Sequence, residues 1–316
     1  MAIYNAYDAI GQREDLTDVI YDISPTETPF MSSIGKTKAT AVYHEWQTDS
    51  LAAATTNNAA VEGADASDAT LSPTTRLGNY TQILQKTIKV SGTLDAVNKA
   101  GRKSEKAYQL AKASQELKRD LETILLSNQG RSAGSSNSSA RKMGSLLSWI
   151  KTNSDAQTNG ADPTTIGVST RTDGNTRTFT ETLLKGVVAE VFTSGGSPKV
   201  LMVGAAGKQK VSSFTGISAY RYNVNGSAAP AAIVGAADIY VSDFGNMAVV
   251  PNRFMRTRDA LILDPEYAAL AYLRPFQTNE LAKAGDSDKT QVLVEVTLEV
   301  KNEAAHGIVA DLNMSL

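Results

Sequence analysis

Apolar residues recur along this chain at helical spacing in some segments and at strand spacing in others. Leu16, Val19, Ile20 and Ile23 fall at i, i+3, i+4 and i+7, one face of a short amphipathic helix, with Asp15 placed to cap its N-terminus. Ser24-Pro25 ends that helix, because a residue before proline avoids the α region, and residues 25–30 are predicted to run extended. Residues 1–35 read as an arm. Strand-forming Thr, Tyr, Val and Ile then dominate residues 39–46 and 79–90. The clearest helix covers residues 104–128, where Ser104 can cap, Glu105 suits the first turn and no Gly or Pro interrupts. Leu110, Leu117, Leu121 and Ile124 line one face of it. At about 1.5 Å per residue it would extend on the order of 37 Å, long enough to form the spine of a flat subunit.

The second half alternates more quickly. Residues 130–178 are rich in Ser, Gly, Asn and Thr and read as loop, apart from the apolar patch Met143, Leu146, Leu147, Trp149 and Ile150, which suits a helical turn or two. An amphipathic helix follows at 180–192, with Leu184, Val187, Val188 and Val191 on one face, stopped by Gly195-Gly196-Ser197-Pro198. A buried-type strand at 200–203, a short helix at 208–214 and strands at 232–241 and 247–250 suggest a mixed α/β layer. Val292, Val294, Val296, Leu298 and Val300 alternate with Glu295, Thr297 and Glu299, the pattern of a half-buried strand, and Ile308, Ala310 and Leu312 begin another. The fold class is α+β.

Two stretches fit no core. Residues 49–75 are mostly Ala, Thr, Asn, Ser and Asp, hold the acids Asp49, Glu62, Asp65 and Asp68, and contain no Lys or Arg. On composition alone this tip reads as disordered. A two-stranded ribbon carrying it cannot stand on its own core and needs another molecule to rest on. Residues 216–230 form a second long loop around Tyr220-Arg221-Tyr222, which reads either as an interface anchor or as a surface cluster.

Composition narrows the chemistry. The 316 residues carry 31 Lys+Arg against 33 Asp+Glu, a net charge of -2, with no basic tail, so a strong electrostatic grip on nucleic acid is excluded. The absence of cysteine rules out disulfides, thiolate metal sites and thiol catalysis. Nothing at the N-terminus resembles a signal peptide, and no apolar run reaches membrane-spanning length, which points to a cytoplasmic product with no membrane partner. His44 and His306 are the only histidines, isolated in a strand and beside a Gly turn, and read as structural. Gly204-Ala205-Ala206-Gly207-Lys208-Gln209 lacks the length and the following Ser/Thr of a phosphate loop. Asp286 and Asp288 lie near Gly285 without calcium-loop spacing and read as a solvated turn. No catalytic residue, cofactor or metal is expected.

The order of parts is arm, long two-stranded loop, long helix, mixed α/β insertion and returning C-terminal strands. It resembles the capsid fold of phage Hong Kong 97. Particular strings strengthen the likeness to the major capsid proteins of tailed phages: residues 23–30 (ISPTETPF), Tyr43-His44-Glu45-Trp46, residues 76–82 (RLGNYTQ), Gly235-Ala236-Ala237-Asp238 and residues 301–307 (KNEAAHG). The resemblance implies an N-arm (1–35), an extended β-hairpin E-loop (36–90), a P-domain (91–140 and 260–316, with the spine helix near 104–128) and an A-domain (141–259). It further implies self-assembly through pentamers and hexamers into an icosahedral shell around double-stranded DNA, held without sequence-specific binding. Inter-subunit contacts are then expected at Glu45, Trp46, Glu62, Asp65, Asp68, Arg76, Tyr220, Arg221 and Tyr222.

The same resemblance implies a scaffolding protein and a portal as partners, because the chain enters its arm without a long helical extension, and assembly in the host bacterial cytoplasm. Residues 39–85 contain no lysine, so the isopeptide crosslink of the type member is not expected. The competing readings are an encapsulin-like compartment, which keeps the fold, and a tail or decoration protein, which does not. A cell-envelope hydrolase would need a carboxylate or nucleophile constellation that the sequence lacks.

Overall fold

The computed structural model describes residues 24–63, 65–66, 68–97, 101, 103–135, 138–214 and 238–314. The amphipathic helix predicted around residues 16–23 and the Tyr220-Arg221-Tyr222 segment lie outside them. Helix α1 (Pro29–Ser33) begins where an extended run is predicted. Pro29 sits in its first turn, where a missing N–H costs nothing and the fixed φ suits a helix. Phe30 and Met31 point into the core.

Strands β1 (Gly35–Lys38), β2 (Tyr43–Thr48), β3 (Thr75–Tyr80) and β4 (Gln82–Ser91) follow, then the short helix α2 (Gly92–Ala96). The single strand predicted over 79–90 is thus two, broken at Thr81. That residue is fully buried; its N–H donates to the Val42 carbonyl (2.8 Å) and its hydroxyl to Glu295 Oε1 (2.9 Å). Both polar groups are satisfied at the break, so the chain passes from the β2–β3 ladder to another sheet without an orphaned donor.

Helix α3 (Glu105–Leu125) is the predicted long helix, capped by Ser104, whose hydroxyl accepts from the Ala107 N–H. It stops at Leu125, nearer than the sequence implied, and spans about 32 Å at 1.5 Å per residue. Ala113, Leu117, Leu121 and Leu125 form its buried face, against β4 and the later strand β12 (Ser287–Val300), while Leu110 and Ile124 lie at its margin. Next come α4 (Leu146–Trp149), β5 (Ser154–Asp155), β6 (Arg177–Thr178), α5 (Glu181–Thr193) and β7 (Val200–Val203). Helix α6 (Ala205–Ser212) starts directly after β7, earlier than the predicted 208–214. Strands β8 (Ile239–Ser242), β9 (Gly245–Pro251), β10 (Ala260–Leu263), β11 (Ala268–Leu281), β13 (Gly307–Val309) and β14 (Leu312–Asn313) complete the chain around β12.

Two sheets organise these elements. One has the order β1-β11-β12-β4, antiparallel except for the parallel β1–β11 pair. The other is mixed, with the order β5-β13-β10-β7-β9-β8. Its inner strands divide two cores by simple alternation. Met202, Leu261, Leu263 and Ile308 face the core built on α3, α4 and β12, whereas Leu201, Val203, Ile262 and Val309 face the core under α5 and α6. The patch at 143–150 is fully enclosed, and Trp149 lies against Gly167, which has φ +72 and leaves no room for a Cβ.

Strand β12 departs from the half-buried pattern predicted for it. Val292, Val294, Val296, Leu298 and Val300 enter the first core, but Leu293, Glu295, Thr297 and Glu299 on the opposite face are buried as well. The carboxylates there are covered by groups distant in sequence, which is why alternation alone suggested exposure.

Candidate assembly surfaces

The β2–β3 ribbon is fixed at its root and free at its tip. At the root, Glu299 Oε2 accepts from the Thr37 hydroxyl (2.8 Å) and lies 3.2 Å from His44 Nε2. Glu295 pairs with Arg141 (2.6 Å) and Arg274 (2.8 Å) and also takes the Thr81 hydroxyl. The Glu295 side chain is only 4% exposed although its arginine partners reach solvent, so two guanidinium groups and a hydroxyl are what make the burial of a carboxylate affordable. Asn79, fully buried in β3, donates to the Gly144 and Leu298 carbonyls (3.1 and 2.8 Å) and accepts from the Gly144 N–H (2.7 Å). Arg131 donates to the Gly78 carbonyl and stands over the Tyr43 ring at 5.4 Å. A Cβ at Gly78 would meet Tyr43 at 2.8 Å and Glu45 at 2.9 Å, so glycine is what lets these side chains cross the strand.

Of the residues singled out from sequence, Glu45 and Arg76 form a diagonal cross-strand ion pair of 3.0 Å on the ribbon. With Arg76 71% exposed, such a pair contributes at most about 1 kcal/mol. Trp46 turns inward, its ring 5.3 Å from that of Trp149, and so ties the ribbon to the first core. Glu62, Asp65 and Asp68 sit on the tip, where every described residue from 49 to 76 is exposed. Leu51, Val61 and Leu71 are 98%, 79% and 89% exposed there, apolar surface with no partner among the described residues. His44, Asn79, Arg131, Arg141, Glu295 and Glu299, which hold the root, were not singled out as site residues. His44, Asn79, Glu295 and Glu299 stood out only as polar residues inside strand-type segments, and Arg131 and Arg141 lay in a stretch that reads as loop.

Among the described residues no group of His, Asp and Glu is placed to hold a metal ion, and no helix is long and apolar enough to cross a membrane. Asp286 lies beside Gly92 and Thr93, and Asp288 pairs with Lys283 (2.6 Å), a surface turn. His306 is 1% exposed, and burial drives its pKa down from 6.5 to about 4, so it is neutral near pH 7.

This histidine gives a pH signature. A base whose folded pKa lies below its unfolded value loses stability as pH falls from 6.5 to about 4, by roughly 3 kcal/mol at full burial. Asp259 works the other way, since burial raises its pKa from 3.8 to about 6 and stability is lost there as pH rises. Urea titrations of His306→Gln and wild-type subunits should therefore show the gap between them shrinking as pH drops from 6.5 to 4. A gap that stays constant would mean His306 does not titrate in this window.

Comparison with known proteins decides what the ribbon belongs to. The profile of the family described as SU10 major capsid protein matches residues 3–313. The chain belongs to that family. This capsid protein is 28% identical to the major capsid protein of Escherichia phage Phieco32, over 97% of its own length and 96% of the relative's. Its fold is the Hong Kong 97-like capsid fold. It resembles a chain of the Cyanophage A-1(L) capsid asymmetric unit (TM-score 0.64, 10% identity, 98% of each chain) and a chain from Microbacterium phage Oxtober96 (0.60, 14%, 99% and 100%). The holo-SrpI encapsulin complex of Synechococcus elongatus PCC 7942 supplies a third similar structure (0.57, 10%, 97% and 94%). The capsid protein is a virion component whose copies build a shell.

Proposed function

We propose that copies of this chain assemble through pentamers and hexamers into an icosahedral shell around phage double-stranded DNA. In this reading the subunit has no catalytic role. Residues 1–35 act as the N-arm, 36–90 as the E-loop, 91–140 with 260–316 as the P-domain and 141–259 as the A-domain. The E-loop tip lies across a neighbouring copy, and Glu62, Asp65 and Asp68 meet that neighbour's surface. Tyr220, Arg221 and Tyr222 serve as contacts near the capsomer centre. A scaffolding protein and a portal complete assembly in the host cytoplasm.

The observation that carries this reading is the ribbon itself. Its root is bound by buried charge and a buried amide, while its tip exposes Leu51, Val61 and Leu71 with no partner among the described residues. Exposed apolar residues rimmed by acids are the mark of a surface awaiting a protein partner. Many weak contacts of this kind suffice in a closed symmetric assembly. The encapsulin use of the same fold is less favoured, because the relative found at 28% identity over nearly the full length is a phage major capsid protein.

Negative-stain electron microscopy of the protein, produced alone and with its neighbouring scaffolding gene, tests the proposal. Closed polyhedral shells are the expected result. Only small discrete particles under both conditions would refute it.

A further inference from the structure

The connection from β9 to β10, residues 252–259, is held at both ends. At its start Asn252 donates to Glu122 on α3 (2.7 Å), and the Arg119 guanidinium of the same helix stands over the Phe254 ring at 5.5 Å. Its far end enters a cluster of charged side chains drawn from three segments. Arg256 bonds Asp173 (2.5 Å) and approaches Asp259 (3.4 Å), while Arg258 bonds Asp311 (2.7 Å) and approaches Asp173 (3.4 Å). Arg171 also acts on Asp259, but it is paired with Asp162 at 2.7 Å and leaves the balance unchanged.

Two guanidinium groups therefore meet three carboxylates. With every group ionised the cluster carries an uncompensated negative charge, and the Asp259 and Asp311 side chains are each only 3% exposed. A buried excess charge is unfavourable, and one bound proton removes it. The hydrogen bonds show where that proton belongs. Asp311 accepts from the Gly174 and Gln157 N–H groups (2.8 and 3.2 Å) as well as from Arg258, and Asp173 accepts from Arg256. Asp259 Oδ2, by contrast, is buried with no hydrogen-bond partner among the described residues, and neither has Arg256 Nη1, which faces it.

We propose that this cluster is a proton-binding site, and that protonation of Asp259 fastens the β9–β10 connection to residues 171–177 and to the turn before β14. The inference concerns the single subunit and does not depend on the shell reading. Burial raises the Asp259 pKa from 3.8 to about 6, opposed by Arg256, Arg171 and Arg258 and assisted by Asp173. Asp173 itself moves the other way, because its hydrogen bond to Arg256 holds it below the usual carboxylate range. A carboxyl group whose pKa is higher in the closed form than in the open one stabilises the closed form at low pH, and that contribution is lost as pH rises through the higher value. The joint is therefore tight below about pH 6 and loosens above it. Since the same connection carries Asn252 and Phe254, loosening it relaxes a tie between the mixed sheet and α3.

Hydrogen–deuterium exchange of the subunit, read by mass spectrometry at about pH 5 and about pH 7.5 and corrected for the intrinsic pH dependence of amide exchange, tests the proposal. For a carboxyl group with a pKa of about 6 closed and 3.8 open, opening at residues 253–259 and 171–177 should be about tenfold more frequent at the higher pH. Asp259→Asn removes the titrating group, and its corrected exchange there should be equal at both pH values. Equal exchange in the wild type overturns the proposal, and so does a pH dependence that survives in Asp259→Asn. Should that variant fail to fold, Asp173→Asn gives an independent test: two cations then face two carboxylates, Asp259 no longer needs a proton, and the tenfold difference should vanish. Its persistence in Asp173→Asn overturns the charge balance on which the proposal stands.

Discussion

Removing residues 52–70 should leave a subunit that folds, stays in solution and builds no stable shell. Every described residue in that stretch is exposed, and the buried contacts of the ribbon all lie outside it, at Trp46, Asn79, Thr81 and the carboxylates of β12. Closing β2 to β3 through a shorter connection lowers the entropy cost of the loop slightly, so stability should change by less than about 1 kcal/mol. The ladder register from Tyr43 with Tyr80 to Thr48 with Thr75 is untouched. Assembly, by contrast, loses exposed Val61 and three of the tip's four acids, Glu62, Asp65 and Asp68, at every copy of the interface. The checks are a thermal melt of the subunit and micrographs of the assembly reaction. Normal shells from the deletion would remove the tip from the mechanism.

The second large effect is at Glu122. This carboxylate on α3 is fully buried and accepts from the Phe30 and Met31 N–H groups (2.7 and 2.9 Å), free donors of the first turn of α1, and from Asn252 Nδ2 (2.7 Å). It thereby joins the arm helix, the long helix and the end of β9. Truncation by Glu122→Ala strands three buried donors, each worth about 1–3 kcal/mol, and a total loss of roughly 3 kcal/mol or more is expected in urea unfolding. Glu122→Gln keeps the shape but turns an –NH2 towards N–H donors, so it should also destabilise, by about 2 kcal/mol. Burial raises the Glu122 pKa above 4.5 against the lowering effect of its three hydrogen bonds, so its ionised form is the costly one. The wild type should gain stability relative to Glu122→Gln as pH falls through the raised pKa towards 4.5. An alanine variant as stable as the wild type would show that water replaces the carboxylate.

What could be read from the sequence was whatever depends on near neighbours. Helices α3 and α5 were legible because their buried residues repeat within a few turns; Ser104 caps α3 as its position implied, and Thr180, read as the first residue of α5, is its cap. The first face of β12 was legible from its run of alternating Val. Its second face was not, since Arg141, Arg274, Thr37 and His44 come from four separate segments to cover Glu295 and Glu299. Strands β10 and β11 were passed over because Ala260, Ala268, Ala269 and Ala271 give little β signal, although the sheet buries all four. The break at Thr81 was hidden because the buried groups that satisfy it, the Val42 carbonyl and Glu295 at a separation of 214, are not its near neighbours in sequence. As for the assembly surfaces, the acidic tip was visible as composition, whereas the root that makes it useful is tertiary.

The route of the chain out of the ribbon also determines how the subunit bears force. β3 runs through Thr81 straight into β4, and β4 lies antiparallel to β12 over ten successive partners, Ser91 with Ser287 to Gln82 with Val296. A neighbour tugging on the tip would therefore load β4, and to the extent that the pull runs along the strand it bears on those rungs together in shear instead of peeling them one by one. Glu295 and Asn79 clamp the point where the load enters the sheet. A particle under outward pressure would thus be held by its subunits in the direction in which a β-ladder is stiffest, with the tip as the tether and the body as its anchorage.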